Sequence, residues 1–153
     1  MYELRVDRWQ IAFDRPATAA AYDRITNDVT ARCSCAYCRN FWSAAQEALP
    51  DAARALFDRL GVDHRKPAEI HEYGPESGLV VYGALWHFVG RVLVDPGDQL
   101  TLEAPSGLPA AHVFFYERSD LAHEPLRLAG DLVQLELTLH LPWLLSEPYP
   151  QPL

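Results

Sequence analysis

All three cysteines of this chain lie within six positions, as Cys33-x-Cys35-x-x-Cys38 in the stretch ARCSCAYCRNF. Cys35 and Cys38 fall at the start of a segment with helical spacing, where free backbone N–H groups and the helix dipole stabilise thiolate. Thiolate sulfur is both a zinc ligand and the reactive form in disulfide exchange. The cluster therefore indicates metal binding or thiol chemistry, and three inert, packed thiols are the third interpretation.

Zinc binding would combine two or three of these sulfurs with histidine, because structural zinc sites are commonly Cys₃His or Cys₂His₂. The six histidines of the chain are dispersed, and no second Cys-x-x-Cys or His-x₃₋₅-His accompanies the cluster. We expect Cys35 and Cys38 to be ligands of Zn²⁺ and Cys33 to be a third. His71 or His87 would complete the site through the fold.

A redox function is the alternative, since CAYC resembles the CPYC active site of glutaredoxins and is likewise followed by a helix and an arginine. A thioredoxin-type fold needs a βαβ opening and a parallel sheet, whereas the strands predicted here form a late antiparallel block. The redox interpretation therefore rests on the thiol chemistry of the cysteine pair alone and not on a thioredoxin-type fold. Cys35 or Cys38 would be a nucleophile in the Cys35-x-x-Cys38 pair, and Arg32 and Arg39 would stabilise its thiolate.

Polar side chains alternate along the predicted strands and suggest a second candidate site. In LWHFVGRVLV, period-two alternation places His87 opposite Trp86 and Phe88 and on the same face as Arg91. If the polar faces of several strands coincide, they would form a cleft for a small polar ligand or for acid–base chemistry. The residues predicted to line it, beside the histidines, are Tyr73, Arg91, Glu136 and His140. An ordinary solvent-facing sheet surface is the alternative interpretation.

The elements that position these residues change from helical to extended along the chain. Residues 2 to 13 alternate as a first strand, and helices are predicted near residues 17 to 29, 36 to 49 and 51 to 60, with Gly61 closing the last. From residue 68 the period becomes two, and turn formers separate the runs. In DPGD, a type II turn is expected to join residues 84 to 94 and 98 to 104 in a hairpin.

The sequence therefore predicts one α+β domain over residues 1 to 153. A helical, cysteine-bearing segment of about 17 to 61 precedes a predominantly antiparallel sheet of about 68 to 141, with a half-barrel or sandwich-like form.

Composition excludes several classes of protein. The net charge is −8 and the basic residues are scattered, so the electrostatic footprint of nucleic-acid binding is missing. No apolar run of 18 residues occurs, and the amino-terminal stretch is charged from its third residue, unlike a signal peptide. We expect a cytoplasmic protein without a membrane partner. There is also no Gly-x-Ser-x-Gly elbow and no glycine-rich phosphate loop.

The stretch CAYCRNF, followed by helices and then by EYG, HFVGRV and LHLPWLL, resembles a family of small uncharacterised bacterial proteins. That family carries Cys-x-Tyr-Cys-Arg-Asn-Phe, and the likeness covers most of the chain. The resemblance implies a cysteine cluster with a role but implies no established activity.

Overall fold

The computed structural model describes residues 1–26, 33–105 and 107–150. Within these ranges the chain forms seven strands and four helices. The strands are β1 (Tyr2–Val6), β2 (Trp9–Phe13), β3 (Glu69–Glu76), β4 (Leu79–Val94), β5 (Leu100–Leu102), β6 (Ala111–Tyr116) and β7 (Leu132–Leu141). The helices are α1 (Arg15–Asp23), α2 (Ala36–Ala48), α3 (Asp51–Leu60) and α4 (Glu124–Arg127).

The strands form one open antiparallel sheet in the order β1-β2-β4-β7-β6-β5, and β3 also pairs with β4. The predicted α+β class with an antiparallel sheet is confirmed, and the sheet is not closed into a barrel. The central strand β4 is 16 residues long and pairs over Val80–Val89 with β7. On its other edge it pairs first with β3 and later with β2.

Two sequence predictions about strand pairing were wrong. The first predicted strand is a hairpin of β1 and β2, because the chain turns at Asp7, whose φ is 53°, and Val6 pairs with Trp9. The DPGD turn does not join β4 to β5. The end of β4 pairs with β2 instead, and β5 pairs with β6 at the far edge of the sheet.

Helix α1 fills the interval between β3 and β2 along the edge of β4. Asp14 caps the helix by accepting a hydrogen bond from the backbone N–H of Ala17. One turn further, the Thr18 hydroxyl accepts a hydrogen bond from the backbone N–H of Val89 at 3.0 Å. The Tyr22 hydroxyl donates to the carbonyl oxygen of His87 at 2.8 Å and accepts from its N–H. Side chains of a helix thus satisfy backbone groups that a strand would otherwise pair.

Helices α2 and α3 cover one face of the sheet. In α2 the apolar residues Cys38, Phe41, Ala44 and Ala48 recur at helical spacing and are buried. The ring of Phe41 lies 5.5 Å from that of Tyr82, and the ring of Phe57 lies 4.7 Å from that of Trp86. A fully buried side chain of this size contributes roughly 1.5–3 kcal/mol, so this layer is a principal source of stability.

The segment that contains α4 covers β4 near His87. The helix contacts β4 and α1, and its Leu126 is fully buried. His87 itself has no exposed surface. Because β4 and β7 pair without a register shift over this stretch, His87 points away from the face that carries Trp86 and Phe88, as the sequence predicts. No helix within the described residues is both long and apolar enough to cross a membrane.

Two glycines of β4 offer a matched test of this packing. A Cβ at Gly90 would lie 2.1 Å from the backbone oxygen of Ala12 in β2, which cannot move without breaking the strand pair. A Cβ at Gly83 would meet the ring of Tyr73 at 2.7 Å, and that ring is exposed and free to rotate away. We expect Gly90→Ala to lower the free energy of unfolding by at least about 2 kcal/mol and Gly83→Ala by less than about 1 kcal/mol. Urea denaturation of both variants measures the difference, and equal losses would contradict the close approach of β2 to β4.

Candidate metal centre

The three cysteines meet at the amino-terminal end of α2. Cys35 is the N-cap residue, with extended backbone, and Cys38 lies in the first turn. The Sγ atoms of Cys33, Cys35 and Cys38 all lie within 4.8 Å of one another, and those of Cys33 and Cys35 are 3.2 Å apart. All three are free thiols, with Cys38 buried and Cys35 exposed. The helix start therefore presents three sulfur atoms on one small patch that reaches the surface.

The thiols differ in their electrostatic surroundings. The backbone N–H of Cys35 is the main cause that lowers the pKa of the Cys33 thiol, and hydrogen bonds from the thiols of Cys35 and Cys38 lower it further. Burial raises the pKa of the Cys38 thiol, and its hydrogen bonds to the other two thiols raise it again. Cys33 thus ionises more readily than Cys38, and Cys38 keeps its proton unless a cation replaces it.

The structure does not bring His71 or His87 to the cysteines. Among the described residues, the group of possible ligands that contains the three sulfurs includes no histidine, aspartate or glutamate. His71 lies in β3, 3.7 Å from a carboxylate oxygen of Glu69 and stacked against Tyr73. His87 is enclosed in the sheet, where its Nε2 lies 3.1 Å from Oε1 of Gln134.

The polar residues predicted to line a cleft are also spread over the sheet. His140 pairs with Val81 near the start of β4 and bonds Glu76 at 2.9 Å. Arg91 lies ten residues further along β4, which is roughly 30 Å at the rise of a strand. It contacts carboxylates of Glu117 and Asp131 there. His140 and Arg91 are too far apart to line one small cleft.

Tyr73 lies towards the His140 end of β4, since its neighbour Gly74 also pairs with Val81, and Glu136 lies between the two ends. The exposed ring of Tyr73 lies over Gly83. Glu136 pairs with Leu85 and accepts a hydrogen bond from the Gln134 side chain at 2.8 Å. Gln134 thus links Glu136 to the buried His87 in a chain of hydrogen bonds.

Arg39 lies beside the cluster and fixes the loop that carries it. Its Nε donates to the carbonyl oxygen of Ser34 at 2.9 Å, and its Nη1 lies 2.5 Å from a carboxylate oxygen of Glu147. The arginine thus connects the cysteine loop to the carboxy-terminal segment. Arg32, the other predicted flanking charge, lies outside the described residues, as does the end of the first predicted helix.

Asn40 is a neighbour of the cysteine cluster that sequence reasoning missed. Its side chain is fully buried, donates to the carbonyl oxygen of Pro142 at 3.1 Å and accepts from the N–H of Leu144 at 2.7 Å. The hydroxyl of Tyr82, in β4, donates to the carbonyl oxygen of Tyr37 at 2.8 Å. The first two turns of α2 are therefore held both to the sheet and to the segment after β7. A polar residue directly before Phe41, on the buried side of a helix, was the available signal.

Aromatic packing holds the same segment against α2. The rings of Tyr37, Trp143 and Tyr149 lie 5.3 to 6.2 Å apart in edge-to-face pairs. The Tyr37 hydroxyl donates to the carbonyl oxygen of Pro150, and that of Tyr149 to the carboxylate of Glu72. The described part of the segment after β7 thus packs against the first turn of α2, beside the cysteines.

Comparison with family models, curated proteins and solved structures gives no match to this chain. The resemblance of CAYCRNF to a family of small bacterial proteins therefore stays a prediction.

The enclosed His87 gives stability a specific dependence on pH. Burial is the main cause that lowers its pKa from 6.5 to about 4, so the folded protein binds fewer protons than the unfolded chain between these values. The stabilisation is complete above pH 6.5 and is lost as the pH falls towards 4. We expect a loss of about 2 kcal/mol between pH 7 and pH 5 from this residue. Urea denaturation across this range measures it.

The matched variants for this test are His87→Gln and His71→Gln. His87→Gln removes the titrating ring but keeps a hydrogen-bonding partner for Gln134, so the slope of stability against pH should decrease. His71→Gln, at a half-exposed position in β3, is the control and should keep the slope. If the free energy of unfolding of His87→Gln changes with pH as steeply as that of the wild type, groups other than His87 cause the pH dependence.

Proposed function

We propose that this chain binds one zinc ion through the thiolates of Cys33, Cys35 and Cys38. The observation that supports the proposal most directly is that their three Sγ atoms lie within 4.8 Å of one another. Zinc–sulfur bonds of about 2.3 Å in tetrahedral geometry separate two sulfurs by roughly 3.8 Å. The sulfurs therefore need to shift by only fractions of an ångström to about one ångström, within the reach of side-chain rotation.

Zinc binding would bring all three cysteines to the thiolate form, although the pKa of Cys33 is lowered and that of Cys38 is raised. Zinc binds thiolate, so the proton of the buried Cys38 must leave when the metal enters. The N–H groups at the start of α2 and the guanidinium of Arg39 favour the negative charge of a three-thiolate site. A soft, sulfur-only ligand set favours zinc over magnesium or calcium, which prefer oxygen.

Water is our proposed fourth ligand in place of His71 or His87. No described histidine or carboxylate joins the group, and the exposed Cys35 leaves the sulfurs accessible from solvent. Three protein ligands plus water is the arrangement of zinc sites that keep an exchangeable position. The ion would also clamp the chain before α2 onto the first turn of that helix, next to the tail held by Asn40.

A cytoplasmic location accompanies the proposal. The three cysteines are free thiols, which fits a reducing compartment. The sequence prediction itself rests on the charged amino-terminal stretch and on the lack of an apolar run of 18 residues.

Elemental analysis by mass spectrometry tests the zinc site. Protein purified without an affinity tag in zinc-supplemented buffer should carry about one zinc per chain. Cys38→Ser and Cys35→Ser should each lose most of it, because a hydroxyl is a far poorer ligand than thiolate. Ser34→Ala, which lies between the cysteines but removes no sulfur, is the matched control and should retain the metal. A wild-type protein without any bound metal after this purification would remove the proposal.

Thiol chemistry is the second candidate, and the contact between the sulfurs of Cys33 and Cys35 supports it. The lowered pKa of Cys33 makes it the expected nucleophile in place of Cys35 or Cys38.

Alkylation by iodoacetamide at neutral pH distinguishes the two candidates. A zinc-bound cluster should react slowly until a chelator is added, because the sulfur lone pairs are engaged by the metal. A metal-free reactive thiol should label at Cys33 faster than a free cysteine, with or without chelator. Peptide mass spectrometry identifies the labelled residue. Three thiols that stay unlabelled in both conditions in the folded protein would contradict both candidates.

A further inference from the structure

A largely apolar cavity of about 240 Å³ lies between α2, α3 and β4. Its walls include the rings of Phe41, Trp42 and Trp86 and the side chain of Leu49. The segment after α3 contributes His64 at its margin. The cavity is smaller than the roughly 300–1,000 Å³ of pockets for drug-sized molecules, so its size suits a ligand of one or two rings.

Two residues in its walls carry hydrogen-bond donors without an acceptor among the described residues. The indole N–H groups of Trp42 and Trp86 are buried and form no hydrogen bond with any described residue, and Trp86 is only 2% exposed. The other two tryptophans are satisfied, because Trp9 donates to the carbonyl oxygen of Asp98 and Trp143 to that of Glu147. Buried indole N–H groups ordinarily have partners, so these two groups, on residues that line the cavity, are available to an acceptor on a ligand.

Positive charge surrounds the same cavity. Arg54 and Arg65 contribute to its lining, and none of its lining residues is acidic. Arg65 is paired with Asp63, whereas Arg54 donates to the carbonyl oxygen of Gln46 and forms no ion pair with a described residue. Burial is the main cause that lowers the pKa of His64, so its ring is neutral at pH 7. The guanidinium of Arg54 is therefore the uncompensated charge at the rim.

We propose that this cavity binds a small aromatic carboxylate. The ring would lie among Phe41, Trp42 and Trp86, where burial of apolar surface and aromatic contacts favour it. The carboxylate oxygens would accept from the unpaired indole N–H groups and face the guanidinium of Arg54, since charge-assisted hydrogen bonds are the strong ones. The proposal is independent of metal at the cysteines, since no cysteine lines the cavity.

Titration with benzoate, followed by the ¹⁵N–¹H NMR signals of the four indole N–H groups, tests the site. Trp→Phe variants assign the signals. Benzoate should shift the signals of Trp42 and Trp86 with a Kd of about 1 mM or tighter, as expected for a ligand of its size. The signals of Trp9 and Trp143 should stay in place, because their N–H groups already have acceptors. They also report that the protein remains folded.

The controls separate the ring from the charge. Acetate lacks the ring and benzyl alcohol lacks the charge, so each should bind at least about tenfold more weakly than benzoate. Arg54→Gln should weaken benzoate binding by about tenfold, whereas Arg59→Gln, in the same helix but outside the cavity lining, should not change it. The absence of a shift at Trp42 and Trp86, equal shifts of all four signals, or an equal response to acetate would each overturn the proposal.

Discussion

The long strand β4 is the element on which the structure depends, because both of its edges must be satisfied over 16 residues. One edge is covered by β7, and the other is shared by β3, two side chains of α1 and β2. Thr18 and Tyr22 are one helical turn apart, so their hydroxyls reach backbone groups of β4 two residues apart at His87 and Val89. The absence of a side chain at Gly90 then lets β2 approach β4 closely. The position of α1 is thereby tied to the backbone of the sheet.

The start of α2 is held by a second set of contacts that involve residues remote in sequence. The Asn40 side chain donates to the carbonyl oxygen of Pro142 and accepts from the N–H of Leu144, and Arg39 pairs with Glu147. The segment after β7 and the cysteine loop are therefore both attached to the start of α2. The three sulfurs themselves come from six consecutive residues and need no distant partner to meet. A metal bound there would order a local segment, whereas the core of Phe41, Phe57 and Trp86 is built without it.

The same helix also contributes a wall of the apolar cavity. Cys38 and Trp42 are one turn apart in α2, yet their side chains lie in different surroundings. Cys38 belongs to the sulfur cluster at the surface, and Trp42 faces the cavity shared with α3 and β4. The cluster has three sulfur atoms close enough together that they could hold a cation, and the cavity has donors and positive charge that suit an anion. Opposite electrostatic preferences are thus separated along one element.

The features that depend on local geometry can be predicted from the amino-acid sequence alone. Helical spacing and turn residues predict α2 and α3, with Gly61 in left-handed conformation at the end of α3. Six consecutive positions at a helix start place Cys33, Cys35 and Cys38 together in any fold. Alternation along a strand, a property of the backbone, puts His87 opposite Trp86.

Which remote residues meet depends on how the strands and helices pack together. Strand order and register place Arg91 and Val81, the strand partner of His140, near opposite ends of β4. They also bury His87 beside Gln134, away from the cysteines. They also bring Trp86 to Trp42, although the two residues are 44 positions apart in the sequence. Such pairings depend on which edges and faces combine in space, and several pairings suit the same pattern of alternating residues. Backbone dihedrals and short turns fix neighbours within a few residues, whereas contacts over tens of residues follow from the packing of the whole sheet.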